Sequence, residues 1–392
     1  MATVLLTDGQ QRKTLAAVRS LGRAGHRPIV AEATWFTTSF FSRYARGRLV
    51  HPAADHEPQA FRRWLIEAVR RHGIDVLLPM DDDTTELAIA CAAEGLSCAA
   101  LLPPAGAFAA FRDKEATYRL AQEVAIPVPP WRPLPADVER AVSIAEDLGY
   151  PVAIKPRRSS GGRGLRLARD AAQLRAALAG GGDGAGERML VRWIGDGPQF
   201  DVCLLFDRRS RPVASFVQRE LRHYPLTGGP STVQESVHRP DLAALAERLL
   251  AAAGWVGPAE VEFREGPDGT PWLMEVNPRF WASLALALHA GVDFPRYAVE
   301  LALGREPQAP ERYPAGLRCR WMLPGDILHY LQNPRRSAMD PPFWRWDRRT
   351  RSDVFAWDDP LPVLGFALGA VAYLAHPEWR RRVLRPGAEV RR

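Results

Sequence analysis

Short apolar runs that end in acidic turns, with helix-length patterns between them, constrain this chain most. Residues 4–6 (Val-Leu-Leu) give way to Thr7-Asp8-Gly9, a helical pattern covers about 12–22, and Gly25-His26-Arg27-Pro28 leads into Ile29-Val30-Ala31. Runs this short are too brief for helices, and a helix between two of them makes a β-α-β unit with parallel strands. A helix over about 58–72, a strand over 75–79 ending at Asp81-Asp82-Asp83, a helix over 84–94 and a short strand near 99–102 extend the pattern. The spacing predicts an α/β domain over 1–105. Asp8 and Asp81 to Asp83 follow strand ends, where open parallel sheets place ligand loops, although capping of the next helix is the plainer role. No G-x-G-x-x-G follows the first strand, so a dinucleotide site is not expected there.

With 392 residues, 46% hydrophobic and 25% charged, the chain can bury the cores of two or three domains. Cys91, Cys98, Cys203 and Cys319 form no C-x2-C pair and read as reduced thiols. No basic stretch precedes the first apolar run, and no run approaches the roughly 18 apolar residues that span a bilayer, so a cytoplasmic protein is expected. The net charge of +7 is concentrated in the tail, where residues 305–392 hold 16 arginines against 10 acids. A neutral body with no basic recognition motif argues against nucleic acid as a partner. Of 52 basic residues only Lys13, Lys114 and Lys155 are lysines, so each marks a place where a compact ammonium matters.

Beyond a proline-rich boundary at 126–135, a helix over about 136–148 precedes a strand over 150–156 that carries Lys155, followed by Ser159-Ser160-Gly161-Gly162-Arg163-Gly164. Glycine lets backbone amides approach phosphate oxygens, and a lysine adds a point charge, although a plain glycine hairpin has the same composition. A glycine-rich connection at 180–186 separates this part from strands at 189–193, 200–206, 213–218, 259–263 and 272–276, with a helix over 241–253. The pattern predicts an α+β unit built on antiparallel pairs. Alternation in two adjacent strands lets Glu262 and Glu275 share a face with Asn277, a set of hard oxygens suited to Mg²⁺. Solvent-facing hairpin acids are the plainer alternative for either one alone.

These signals, in this order and with Asp113-Lys114 upstream at a helix start, resemble the ATP-grasp superfamily over about residues 1–304. The likeness is to its carboxylate-amine ligases and predicted carboligases related to the carbamoyl phosphate synthetase large subunit. It implies a Rossmann-like pre-ATP-grasp domain (1–105), two α+β subdomains (106–188 and 189–304) and a C-terminal helical extension (305–392). By this resemblance Lys114 and Lys155 contact ATP, and Ser160, Gly161, Gly162 and Gly164 lie in the loop over the β and γ phosphates. Arg192, Trp193 and Ile194 match the hinge that reads adenine, and Gln199 or Asp201 the ribose contact. Glu262, Glu275 and Asn277 match the Mg²⁺ ligands, with Mn²⁺ as a substitute, and Arg279 matches the arginine that steadies transferred phosphate. The chain departs from the pattern at Val191 and Arg192, where an acid or glutamine is usual, and at Gln199, where glutamate is usual.

Arg219 and Arg222, in Gln218-Arg219-Glu220-Leu221-Arg222-His223-Tyr224, are the candidates for substrate carboxylate or transition-state charge, since guanidinium pairs bidentately with such oxygens. His51, His223 and His289 lack metal-ligand spacing and read as structural. The extension holds Trp321, Trp344, Trp346, Trp357 and Trp379, and an apolar stretch at 361–375 followed by Trp379-Arg380-Arg381-Arg382. A helix packed on the core is expected there, with peripheral membrane contact as the alternative. The resulting expectation is an ATP- and Mg²⁺-dependent enzyme that joins carboxylate and amine substrates through an acyl phosphate, dimeric like similar enzymes. Carbamate or carboxyphosphate chemistry, or a non-catalytic nucleotide sensor docked to an envelope-assembly complex, are the alternatives.

Overall fold

The computed structural model describes residues 1–159, 162, 164–179, 187–226 and 229–375. Ser160, Gly161, Arg163, the 180–186 connection, Thr227, Gly228 and Trp379 to Arg382 therefore lie outside the described residues. The N-terminal unit is a parallel sheet of β1 (Thr3–Leu6), β2 (Arg27–Glu32), β3 (Gly47–Val50), β4 (Val76–Leu78) and β5 (Ala99–Ala100), in the order β3-β2-β1-β4-β5. Its helices are α1 (Arg12–Arg23), α2 (Pro58–Arg71) and α3 (Asp82–Ala93). The strand cores Val4, Leu5 and Leu6 and Val76 and Leu77 are fully buried, because β1 and β4 occupy the middle of a sheet covered on both faces. Asp81 does cap α3, in a reciprocal pair with Thr84, whereas Asp8 lies one turn ahead of α1 and caps nothing.

Next come α4 (Ala105–Arg112) and α5 (Lys114–Glu123), and then a four-stranded antiparallel sheet in the order β6-β9-β7-β8. Its strands are β6 (Trp131–Pro133), β7 (Val152–Pro156), β8 (Arg166–Ala168) and β9 (Arg188–Arg192), covered by α6 (Val138–Leu148) and α7 (Ala171–Ala179). Sequence pattern placed the subdomain change at 188. The β9 strand pairs back with β6 and β7, so the chain leaves this sheet only after Arg192. Apolar content marks a strand but does not say which neighbour it pairs with.

A seven-stranded sheet follows, in the order β14-β13-β10-β11-β12-β15-β16. Its first five members in chain order are β10 (Gln199–Phe206), β11 (Pro212–His223), β12 (Ser231–Val237), β13 (Gly257–Glu265) and β14 (Pro271–Asn277), with α8 (Pro240–Ala252) packed on one side. That side is dry: Phe200, Val202, Leu204, Val217, Val261, Phe263 and Leu273 join one core with α8. Short helices α9 (Leu284–His289) and α10 (Phe294–Ala302) connect the sheet to the N-terminal unit, where Trp281, Phe294 and Tyr297 share a core with Val4 and Leu6.

The extension is not only helical. Strand β15 (Arg318–Arg320) pairs with β12, and β16 (Thr350–Ser352) pairs in parallel with β15. Helix α11 (Ile327–Gln332) lies between them, and α12 (Pro362–Ala375) packs on the single turn Thr38–Phe41, where a Cβ on Gly365 would meet the Phe41 ring at 2.4 Å. Packing on the folded body is thus observed for α12. Leu364 and Leu368 stay open to solvent, and among the described residues no helix is long and apolar enough to cross a membrane. Acids just before α12 fasten the extension to α1: Arg12 pairs with Asp353, Arg19 with Asp359 at 2.9 Å, and Arg23 with Asp358 at 2.8 Å.

Asp359 is 1% exposed and also accepts from Ser42 Oγ at 2.7 Å and the Arg43 amide at 2.8 Å. Asp359→Ala would strand the buried Arg19 guanidinium, and breaking such a pair costs about 3–5 kcal/mol. Urea denaturation of the variant should show a loss of that size. A midpoint equal to that of the parent would remove the pair from the account of how the extension is held.

Candidate active site

Register across the seven-stranded sheet puts polar side chains on the face opposite the dry core. In an antiparallel ladder, directly opposed residues share a face and alternate residues along each strand return to it. Glu275 opposes Glu262, Glu262 opposes Asp201, and Asp201 opposes Gln218, making one polar row. A second row runs Arg264, Gln199, Glu220, Gln234, and a third begins Asn277, Glu260, Cys203. These rows floor an open cleft whose other wall includes Lys114, Lys155, Ser159, Gly162 and Leu165. The cleft therefore lies between the two antiparallel sheets.

Both lysines are placed by ends of secondary structure. Lys155 is near the end of β7, and Lys114 opens α5, with Asp113 as the N-cap accepting from the Glu115 amide. Lys114 Nζ donates to the Ser159 carbonyl at 2.6 Å and pairs with Glu275 at 3.0 Å. Arg157 pairs with Asp113, and Tyr118 Oη donates to the Met274 carbonyl at 3.0 Å, which ties α5 to β14. In the loop beyond Lys155, Gly162 and Gly164 both have positive φ, and a Cβ on Gly164 would lie 2.8 Å from Pro156.

Charges in the cleft are strongly coupled. Burial acts to raise the Glu275 pKa, but Lys114, Lys155 and Arg279 outweigh it and hold this carboxyl below its usual range. Glu262 is pushed well above that range by burial and then by Glu275, Asp201, Glu260 and Glu220. Asn277 Nδ2 donates to Glu262 at 2.7 Å and to Glu260 at 3.0 Å, leaving its oxygen toward Arg279, whose Nη2 lies 3.1 Å away. Arg279 is also paired with Asp81 at 3.1 Å and Asp82 at 3.0 Å. Lys13, the third lysine, is buried and pairs with Asp81 at 3.3 Å while donating to the Phe280 carbonyl at 3.2 Å. The acidic turn after β4 thus orients Arg279 from behind, in addition to capping α3.

The structure gathers Lys114, Lys155, Gly162, Gln199, Asp201, Glu262, Glu275, Asn277 and Arg279 around one cleft. Gly164 lies next to it, beside Leu165. Arg192, Trp193 and Ile194 leave the end of β9 at the cleft's edge, where the Arg264 guanidinium lies over the Trp193 ring at 5.4 Å. Two expected residues do not reach it. Arg219 alternates to the other face, where it pairs with Glu235 at 2.9 Å beside Arg318. Arg222 would have returned to the polar face, but a bulge after Glu220 sets it opposite Val233. It is buried against Asp326 at 2.9 Å and donates to the Pro341 carbonyl at 2.7 Å. Neither arginine lines the cleft in this arrangement.

Sequence reasoning missed Glu220, Gln234, Glu260, Arg264 and Ser283 as lining residues, and read His223 as structural although it also lines the cleft. The signal for two of them was present: Glu260 is two residues before Glu262, and Glu220 two after Gln218.

Burial lowers the Lys155 pKa to about 8, against the opposing pull of Glu275. Lys155 is therefore charged below about pH 8 and neutral above it, so an anion relying on its ammonium binds more weakly as pH rises through that value. With only three lysines, ¹⁵N-lysine NMR should resolve one resonance titrating near 8 that is absent from Lys155→Arg. A Lys155 midpoint above about 10, as for a free lysine, would overturn the expected desolvation.

Comparisons with known proteins agree with this geometry. The family model of the carbamoyl-phosphate synthase L chain, ATP binding domain, matches residues 113–309, half of the chain. Biotin carboxylase 1 of Bacillus subtilis is 26% identical over 221 residues, 52% of this chain and 48% of its own length. The carbamoyl phosphate synthase large chain of Thermus thermophilus is 27% identical over 230 residues, 56% of this chain and 22% of its own. The chain thus spans about half or less of these relatives. Among solved structures, the biotin carboxylase domain of Hydrogenobacter thermophilus 2-oxoglutarate carboxylase, in complex with MgADP, ADP and bicarbonate, superposes with a TM-score of 0.67 at 18% identity. That match covers 81% of this chain and 73% of the other. Biotin carboxylase from Campylobacter jejuni gives 0.67 at 19% identity, over 81% and 74%. Likeness at that identity shows the ATP-grasp fold, and the family match goes further: the chain belongs to the family of the carbamoyl-phosphate synthase L chain ATP-binding domain.

Proposed function

We propose that this protein is an ATP- and Mg²⁺-dependent ligase that activates a carboxylate as an acyl phosphate and joins it to an amine. The observation that carries the reading is the row Glu275, Glu262 and its neighbour Asn277, facing Lys114 and Lys155 across the cleft. Two carboxylates and an amide oxygen are a hard-oxygen set suited to Mg²⁺. The mutual repulsion that raises Glu262 is what a divalent cation between the acids would relieve. Glu262, Glu275 and Asn277 would hold the Mg²⁺, which would offset the charge of the phosphates.

The chain's own groups do the positioning. Lys114, Lys155 and Arg279 surround the place where the γ-phosphoryl charge spreads, and phosphoryl transfer is catalysed mainly by such placement and electrostatics. Amides around Gly162 and Gly164 would approach the β and γ phosphates. At the hinge the Arg192 and Trp193 amides already donate to the Pro130 and Pro151 carbonyls, which leaves adenine recognition to Ile194 and the hinge carbonyls. Gln199, bonded to Glu262 at 3.2 Å and Arg264 at 2.8 Å, is better exposed than Asp201 for contact with ribose.

In the first step a carboxylate oxygen attacks the γ-phosphorus and the bond to ADP breaks. In the second, the amine nitrogen attacks the acyl carbon, the carbon–oxygen bond to phosphate breaks, and the nitrogen gives up a proton as phosphate departs. Bicarbonate as the acid would give carboxyphosphate instead, a reading favoured by the relatives' names.

Glu275→Gln should lower substrate-dependent ADP release by about 100-fold or more, since it removes a metal ligand and the partner of Lys114. The assay uses pooled carboxylates, bicarbonate included, with pooled amines. Turnover by Glu275→Gln equal to that of the parent would reject the assignment.

A further inference from the structure

One part of the polar face, Asp201 on β10 with Gln218 and Glu220 on β11, has no part in the chemistry above. It carries acceptors without donors. Asp201 Oδ1 and Gln218 Oε1 are buried with no hydrogen-bond partner among the described residues, on side chains that are 2% and 0% exposed. Gln218 holds its position through Nε2, which donates to Asp201 Oδ2 at 2.8 Å and to Ser283 Oγ at 2.5 Å. Glu220, two residues along the same face, lines the cleft and has no hydrogen-bond or ion-pair partner among the described residues. Arg264 shares its row but donates instead to Gln199 and the Gly195 carbonyl.

Leaving a buried acceptor unmatched costs about 1–3 kcal/mol, so the Asp201 and Gln218 oxygens, with the unpaired Glu220 carboxyl beside them, describe a place shaped for a ligand that brings donors. Charge points the same way. Five carboxylates line the cleft against two lysines and two arginines, and burial followed by Asp201 and Glu260 holds Glu220 well above the usual carboxylate range. A cation beside Glu220 would offset that repulsion and favour the charged form of its carboxyl. An ammonium brings three donors, a positive charge and no acceptor.

We propose that Asp201 and Glu220, with Gln218 bracing Asp201, form the subsite for a second, non-reacting cationic group of the amine substrate, so that the amine used by this enzyme carries a positive charge besides its reacting nitrogen. The proposal rests on the ligase reading and names the class of its second substrate. Hydroxylamine, uncharged at neutral pH, separates the two ideas because it traps an acyl phosphate as a hydroxamate without needing an ammonium subsite.

The parent protein is first given ATP, Mg²⁺, pooled carboxylates and hydroxylamine. Hydroxylamine is then replaced by 1,4-diaminobutane, lysine or arginine in one set, and by glutamate or taurine in the other. Amide product from the first set is expected. For the amine that reacts, Glu220→Gln should raise KM by about tenfold or more, the loss of one charge-assisted contact, with Glu220→Asp closer to the parent. Its KM for ATP should stay within about twofold, a split that general damage to the fold would not produce. Absence of hydroxamate from every acid overturns the ligase reading itself. Hydroxamate without amide from any cationic amine, amide only from the glutamate and taurine set, or an unchanged amine KM in Glu220→Gln overturns the subsite while leaving the ligase standing.

Discussion

Register between β10, β11, β13 and β14 is the constraint on which the rest of this structure depends. Because side chains alternate except at the bulges in β11 and β14, the register makes one face dry and the other charged: Phe263, Val261 and Val202 go to the core, and Arg264, Glu262 and Asp201 go to the cleft. A slip of one residue would bury the acids among leucine and phenylalanine and expose the core to water. Apolar packing under α8 therefore selects the same register that assembles the charged rows. The site is a by-product of how the sheet hides its hydrophobic residues.

Electrostatics then divides similar residues into different roles. Glu275 and Glu262 oppose each other on neighbouring strands, yet one is held below the usual carboxylate range and the other well above it. The difference lies in neighbours: Lys114 reaches Glu275 at 3.0 Å, whereas Glu262 is surrounded by other acids. The third lysine acts at one remove. Lys13 and Arg279 meet on Asp81, so the parallel N-terminal sheet contributes to the cleft by fixing an arginine it does not carry.

The C-terminal extension shows the same economy. Its strand β15 covers the edge of β12, and its acids Asp353, Asp358 and Asp359 hold three arginines of α1. A segment whose composition is strongly basic is thus fastened by its few carboxylates. Arg222, read from sequence as a substrate contact, belongs to this fastening through Asp326 on the extension.

Much of the fold and part of the site were legible in the residue order alone. Periodicity marked β1, β2, β4, β7, β9, β10, β13 and β14 and helices α1, α2, α3, α6 and α8 to within a few positions, since apolar spacing is a local property, whereas β3, β8, β12, α7, α9 and α10 were not read. Lys114, Lys155, Glu262, Glu275 and Asn277 were also legible, because scarcity of lysine and strand alternation are visible without a partner. Tertiary structure alone decided which strand β9 joins, which face Arg219 and Arg222 take, and that Gln234, Arg264 and His223 line the cleft. Strand pairing and the bulge after Glu220 depend on residues far apart in the chain, and a single inserted residue reverses the face of all that follows it. Sequence determined the kinds of groups this protein can bring to a cleft, and long-range register decided which of them face one another across it.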